Sequence, residues 1–301
     1  GDYVFCSDLT FVATVNAIKY LGAKPIFIDS EESSWNMCPK SLEMAFESHK
    51  PKAVIVTDIY GQSADYNMIT QICTLHKVPI IEDAAESLGA EYNGKKCGSF
   101  GEMGILSFNG NKIITTSSGG MLLSNNKKYF EKARKLSTQA RENALHYEHT
   151  ELGYNYRMSN ILAAIGRAQL ISLDNYVQYR REIFNYYHKN LNKIDSIGFM
   201  PEIIQGKSSR WLSVILLKKK SHKDIENIIK FYLKEDIEVR PIWKPMHLQP
   251  LYKDCSFYYY SDKPFSKKLF EHGLCLPSGS GMSTDDMDRI ISIIKKNKFY
   301  L

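Results

Sequence analysis

The stretch "KAVIVTDIYGQSADYNMITQICTLHKVPIIEDAAES", Lys52 to Ser87, decides the fold. Two aliphatic runs, "AVIVT" and "VPII", flank "SADYNMITQICTLHK", where apolar residues recur at helical spacing. Apolar runs without polar alternation mark strands covered on both faces, and the segment between them has the length of a crossover helix. This is a strand–helix–strand unit with parallel strands.

The pattern extends in both directions. "YVFC" precedes "TFVATVNAIKYLGA", "KPIFIDS" precedes "PKSLEMAFESHK", and past Ser87 the chain leads into "MGILSFNGNK". The first 125 residues therefore read as α/β, with a mainly parallel, doubly wound sheet. Beyond Met158 the pattern predicts a long helix to about Leu191, a strand in "RWLSVILL", a helix in "KDIENIIKFYLKE" and a strand in "IEVRPIW". The last helix falls in "STDDMDRIISIIKKNK", capped by Ser283, with aspartates in its first turn and lysines in its last. The division expected is a large α/β domain over 1–175 and a small α+β domain over 176–301. Gly1-Asp2 runs straight into a strand that reads as internal to the sheet, so an N-terminally truncated large domain is expected.

Composition narrows the class. With 301 residues, 44% hydrophobic and 24% charged, the chain has enough apolar material for sizeable cores. Its net charge of +6 is spread over helix-like segments, and the runs Lys218 to Lys220 and Lys295 to Lys298 are short. We read solvated faces rather than a nucleic-acid surface. Six cysteines at 6, 38, 73, 97, 255 and 275 form no C-x-x-C pair, and no leader is evident, so reduced, mostly buried thiols in the cytoplasm are expected. No apolar run reaches the length of a membrane span.

In such sheets ligands gather at the carboxyl ends of the strands. Those positions here are Ser7 to Phe11, Asp58 to Gly61, Asp83 to Glu86 and Ser107 to Lys112. Asp83 taken alone reads as a helix N-cap, with Glu86 three residues on completing a capping box. An acid at the end of a buried strand otherwise needs a cation or donors. Lys112 lies twenty-nine positions later, after another apolar strand, in "SFNGNKIITTSSGG". Most lysines are solvated, but this one is flanked by hydroxyls, amides and glycines suited to close approach by an anion. A carboxylate, a lysine, a hydroxyl-rich turn and Phe11 fit pyridoxal phosphate chemistry. Other phosphate- and nucleotide-binding folds share most of that pattern.

Four segments, "LTFVATVNAIKYLGAKPIFID", "IIEDAAESLGA", "SFNGNKIITTSSGG" and "GYNYRMSNILAAIGRAQL", resemble the DegT/DnrJ/EryC1/StrS family of nucleotide-sugar aminotransferases. The resemblance covers essentially the whole chain and implies the fold type I pyridoxal phosphate class. "FNGNKIITTS", "STQARENALHYEH", "SSRWLS", "RPIWKPMHLQPLY" and "GLCLPSG" look most like the UDP-4-keto-6-deoxy-N-acetylglucosamine aminotransferases of bacillosamine synthesis.

Carried over by matching motif, the resemblance implies that Lys112 forms the Schiff base with pyridoxal 5'-phosphate, Asp83 pairs with the pyridine nitrogen, and Glu86 lies near the ring hydroxyl. It further implies that Phe11 stacks on the ring, Ser107 contacts phosphate, and Asn155 reaches the cofactor of a neighbouring subunit in a homodimer. Arg157, Trp243 and His247 are candidate substrate contacts; by residue type alone a tryptophan would be core and an arginine a surface ion pair. The expected substrates are a UDP-4-keto-6-deoxy sugar and L-glutamate, with no metal.

The resemblance also implies two departures. Family members carry roughly a quarter of the large domain before this chain's first residue, including a phosphate-binding turn at a helix start. Ser118 stands where close relatives tend to have glycine, a restriction if that position needs positive φ. A lysine rather than a histidine at 112 argues against the deoxygenating relatives, and a non-catalytic scaffold is the remaining alternative.

Overall fold

The computed structural model describes residues 1–218 and 220–296, so Lys219 and Lys298, within the two lysine runs, lie outside the described residues. In chain order the first half contains β1 (Tyr3–Ser7), α1 (Val12–Tyr20), β2 (Lys24–Ile28), α2 (Pro39–Ser48), β3 (Ala53–Thr57), α3 (Tyr66–Leu75) and β4 (Ile80–Asp83). It continues with the short strands β5 (Glu91–Tyr92) and β6 (Lys95–Lys96), then β7 (Met103–Ser107), β8 (Gly120–Leu123), α4 (Lys127–Ser137) and α5 (Asn160–Leu170). The second half contains α6 (Leu173–Leu191), β9 (Ile197–Phe199), β10 (Gly206–Lys207), β11 (Ser213–Leu217), α7 (His222–Lys234), β12 (Arg240–Pro241), β13 (Phe257–Tyr258), α8 (Phe265–His272), β14 (Gly273–Leu276) and α9 (Thr284–Lys296).

The main sheet has the order β13-β2-β1-β3-β4-β7-β8. Its pairs are parallel from β13 to β7, and only β8 runs antiparallel. This is the mostly parallel sheet read from the apolar runs. Phe5, Ile26, Ile28, Val54 and Val56 are buried with Leu42, Ile69 and Ile72 of the helices, giving a core on one face. Cys6, Phe27, Val15 and Ile18 form a core on the other.

A second sheet, β12-β14-β11-β9, is antiparallel and packs Ile215, Leu274 and Leu276 with Ile183, Ile228 and Ile291 of the flanking helices. Ser283 and Asp286 cap α9 reciprocally, through bonds of 2.9 Å from the Ser283 N–H and 3.2 Å from the Asp286 N–H. The position between 175 and 176 lies in the first turn of α6.

Three expectations change. The helix from Met158 to Leu191 is two helices, because Ile171 and Ser172 break the run and Ser172 leaves helical geometry at φ −102 and ψ 9. Only Arg240–Pro241 of "IEVRPIW" joins the sheet, and Pro241 has no N–H to extend the ladder. The strand in "RWLSVILL" starts at Ser213, which leaves Trp211 in the preceding loop.

Candidate active site

The site is built where β4 and β7 end. Successive strand residues point to opposite faces, so Glu82 and Asp83 part company at the edge of β4. Asp83 Oδ2 accepts 2.5 Å from Thr14 Oγ1, and its Oδ1 accepts 3.2 Å from the Ala85 N–H. Behind Thr14, hydroxyl contacts of 2.9 Å run to Thr10 and on to Thr57, tying α1, β3 and β4 together under the carboxylate.

No helix follows Asp83, which corrects the N-cap reading: residues 84 to 90 are turns. Glu86 consequently has a different role from a capping box. It is only 4% exposed. One oxygen accepts 2.7 Å from the Tyr60 N–H, and the other lies 3.8 Å from Lys112 Nζ. Burial pushes its carboxyl up to about 8, with Lys112 opposing that rise. The ammonium of Lys112 is in turn pulled below the ordinary lysine value by burial, while Glu86 and Asp83 favour its charge. A buried amine of lowered basicity beside two carboxyls can act as nucleophile and as proton carrier.

Phe11 immediately precedes α1 and is 55% exposed, with the Trp243 ring 5.3 Å from its own, centre to centre. The Trp243 N–H donates 3.0 Å to the Tyr60 hydroxyl, which couples this wall to the loop holding Glu86. Ser107 ends β7, its Oγ accepting at 3.4 Å from the Asn109 N–H.

Other expected site residues stand apart. His247 Nδ1 is 2.7 Å from Asp8 Oδ2, its N–H donates 2.8 Å to Asp8 Oδ1, and its ring stacks on Phe257 at 4.0 Å. Asn155 and Arg157 are exposed on a segment that pairs with 137–139, Asn155 accepting 3.2 Å from Gln139 Nε2. Among the described residues no hydrogen bond or ion pair joins either to Lys112, Asp83 or Glu86. In the lysine loop positive φ falls on Ser117 (67°) and Gly119 (100°), so Ser118 carries no such demand.

Three contributors were not singled out as site residues by the sequence, although Asp8 and Tyr60 fall in the strand-end sets and Trp211 in "SSRWLS". Asp8 is fully buried and orients His247, Tyr60 adopts φ 53 to aim its N–H at Glu86, and Trp211 lies with its ring centre 4.1 Å from Lys112 Nζ. Position after β1 was the available signal for Asp8; for the other two it was adjacency to Gly61 and to the start of β11.

The opposite face of β4 carries a second acidic cluster. Ligand atoms of Asp58, Glu82 and Cys97 lie within 4.8 Å of one another, all buried. Each carboxylate oxygen there already accepts from protein donors: Asp58 from the Ala64 N–H, Tyr66 and Ser87, Glu82 from the Gly98 and Phe100 N–H groups. An ion would have to displace them.

The model for the DegT/DnrJ/EryC1/StrS aminotransferase family matches residues 1–295. EpsN of Bacillus subtilis (strain 168), a candidate pyridoxal phosphate-dependent aminotransferase, is 51% identical over 300 residues, covering 98% of this chain and 77% of that protein. GDP-perosamine synthase of Escherichia coli O157:H7 is 35% identical, over 100% of this chain and 79% of that protein. The UDP-4-amino-4,6-dideoxy-N-acetyl-beta-L-altrosamine transaminase of Campylobacter jejuni subsp. jejuni serotype O:23/36 (strain 81-176) is 35% identical, over 83% and 67%. A crystal structure of a family aminotransferase from Brucella abortus superposes with a TM-score of 0.88 at 29% identity, over 98% of this chain and 79% of that one.

The residues present fit pyridoxal phosphate: an amine of lowered basicity, a half-buried carboxylate, an exposed aromatic ring and a strand-end hydroxyl stand at the carboxyl ends of β1, β4 and β7 in the main sheet. No helix among the described residues is long and apolar enough to cross a membrane. The chain belongs to the DegT/DnrJ/EryC1/StrS aminotransferase family and is a pyridoxal phosphate-dependent sugar aminotransferase of the fold type I class.

Proposed function

We propose that the protein transfers an amino group from glutamate to C4 of a UDP-4-keto-6-deoxy-N-acetylhexosamine, giving the UDP-4-amino-4,6-dideoxy sugar of bacillosamine-type glycan synthesis. The observation that carries the reaction type is the buried Lys112 amine, 3.8 Å from Glu86 and within the field of Asp83. The sugar rests on the motifs from "FNGNKIITTS" to "GLCLPSG" and on likeness to the Campylobacter transaminase, whose name specifies a UDP-linked 4-amino-4,6-dideoxy N-acetyl sugar.

In this reading Lys112 anchors the cofactor, Asp83 holds its ring nitrogen protonated, Glu86 sits near the ring hydroxyl, Phe11 covers one ring face and Ser107 binds phosphate. Bound there, pyridoxal phosphate supplies a carbonyl that receives the donor's nitrogen and a ring that stabilises negative charge on the adjoining carbon. Lys112, once free, takes the Cα proton from glutamate and returns a proton to C4 of the sugar, serving as base and then acid. Asp83 would meet the ring nitrogen through a charge-assisted bond, and Thr14 orients it. Trp243, Arg157 and His247 would contact substrate.

The same reading assigns 1–175 to cofactor binding and 176–301 to a smaller unit, in a cytoplasmic enzyme, consistent with six free cysteines. It also makes a homodimer with shared sites. The support is a surface without cover: α4 and α5 bury none of their residues, and Leu145, Tyr147, Leu152, Tyr156, Ile161 and Ile171 are exposed. Asn155 lies within that surface, where it would reach the other subunit's phosphate.

A GDP-linked keto sugar is the second reading, favoured by 35% identity to the perosamine synthase along the whole chain. Turnover of 15N-glutamate with UDP-4-keto-6-deoxy-N-acetylglucosamine or a GDP-linked 4-keto-6-deoxyhexose decides between them. Nitrogen transfer to the UDP sugar alone is expected; preferential transfer to the GDP sugar overturns the choice.

A further inference from the structure

A lysine that both anchors a cofactor and shuttles protons must leave one atom and return to the same place, although its four rotatable bonds favour wandering. Something has to hold the free amine. Glu86 touches it from one side at 3.8 Å. On another side stands the face of Trp211, its centre 4.1 Å from Nζ.

Trp211 is fixed from several directions. Its indole N–H donates 2.9 Å to the carbonyl of Asn111, the peptide unit from which Lys112 springs. Its own carbonyl accepts from Arg180 Nη1, and its ring lies near those of Tyr60 (6.4 Å) and Trp243 (6.4 Å). The loop that delivers it is locked to the loop that delivers Tyr60. Gly61, at φ +92, approaches so closely that a Cβ would stand 2.5 Å from Ser209 Oγ and 2.7 Å from the Trp211 nitrogen. The Gly61 carbonyl accepts 2.9 Å bonds from the Ser209 N–H and Ser208 Oγ, and Arg210 takes φ 50 to turn the chain towards the site. Tyr60 in this interlock binds Glu86, and Trp211 binds Asn111, so both flanks of the amine are set by one junction.

We propose that Trp211 is a positioning residue for Lys112: the indole face, together with Glu86, holds the free ammonium while the indole N–H fixes the backbone at Asn111. This deepens the aminotransferase reading and rests on Lys112 being the reacting amine. A π face attracts the cation but not the neutral amine, so it opposes the loss of basicity that burial causes. Removing the face should lower the Lys112 midpoint by about one pH unit, on the order of a tenfold change in its protonation ratio.

The test follows 13Cε-lysine resonances of the cofactor-free chain across pH, with Lys112 assigned by its loss in Lys112→Met. Trp211→Leu should lower the Lys112 midpoint by about one unit, whereas Trp211→Phe, which keeps a π face, should lower it by less than half as much. In the unsubstituted chain the Trp211 indole N–H resonance should move with the Lys112 midpoint, and that movement should vanish in Lys112→Met. An unchanged midpoint in folded Trp211→Leu, or an indole signal indifferent to Lys112→Met, overturns the proposal; the indole comparison stands alone if Trp211→Leu does not fold. Borohydride fixation of cofactor on another lysine would instead overturn the reading of Lys112 and leave the titration result standing.

Discussion

Glu82 and Asp83 are adjacent acids on one strand, and they lead into opposite environments. On Glu82's side every oxygen of the Asp58–Glu82 pair is met by N–H or O–H donors from the same chain, and burial drives both carboxyls above their ordinary values. On Asp83's side one threonine and one N–H meet the carboxylate, and the nearby cation is an amine that burial makes less basic. The first cluster is closed to solvent; the second stays partly open. Each oxygen of Asp83, like each of Glu82, accepts one bond from the chain, so what separates the two acids is burial: Glu82 is closed off from solvent and Asp83 is half-buried.

That contrast can be broken most severely at Lys112. Lys112→Ala should abolish the borohydride-fixed cofactor and lower turnover by several powers of ten, on the order of what loss of a covalent participant costs, while a sugar–cofactor adduct can still accumulate. Cofactor trapped on the substituted protein would point to another lysine.

Asp83→Asn should lower turnover about a thousandfold with little change in stability, because one preorganised electrostatic contact is lost. Glu82→Gln should do the reverse. Its amide N–H2 group would face the Gly98 or Phe100 N–H, destabilising the fold by about 1–3 kcal/mol with turnover per folded molecule nearly unchanged. Paired turnover and denaturant-midpoint measurements test the contrast, and two variants with the same profile would erase it.

The dimer reading predicts rescue. Lys112→Ala and Asn155→Ala proteins, each inactive alone, should on subunit exchange recover about a quarter of the unsubstituted activity, since half the dimers are mixed and half their sites intact. No recovery in verified mixed dimers would place Asn155 outside a shared site.

Stability should also depend on pH. Glu86 in the folded chain binds its proton up to about 8, whereas the unfolded chain releases it near the ordinary value of 4.5. The folded state therefore holds more protons between these values, and this group's stabilisation, complete below 4.5, is lost as pH rises through about 8. Denaturant midpoints of the cofactor-free chain at the two ends of that window should differ less in Glu86→Gln than in the unsubstituted protein. Equal pH dependence would mean that Glu86 ionises normally.

Much of this was legible in sequence because it is local. β-branched runs gave away the parallel strands, and the polar residues at and past their ends, Asp83 and Lys112 among them, gave the candidate site. What escaped depends on backbone turns that residue type does not announce. Tyr60 and Arg210 adopt left-handed conformations unusual for bulky side chains, and only their interlock at Gly61 sets Trp211 beside Lys112. The capping-box pattern at Asp83 and Glu86 was misleading for a related reason: its local spacing was right, but Tyr60 and Lys112 claim Glu86 instead.

Peptide mapping after borohydride reduction of the cofactor-loaded protein tests the central claim most directly. A reduced pyridoxyl phosphate adduct on Lys112 is the result expected. An adduct on a different lysine, or none on a protein that nonetheless transfers nitrogen from glutamate, would contradict it.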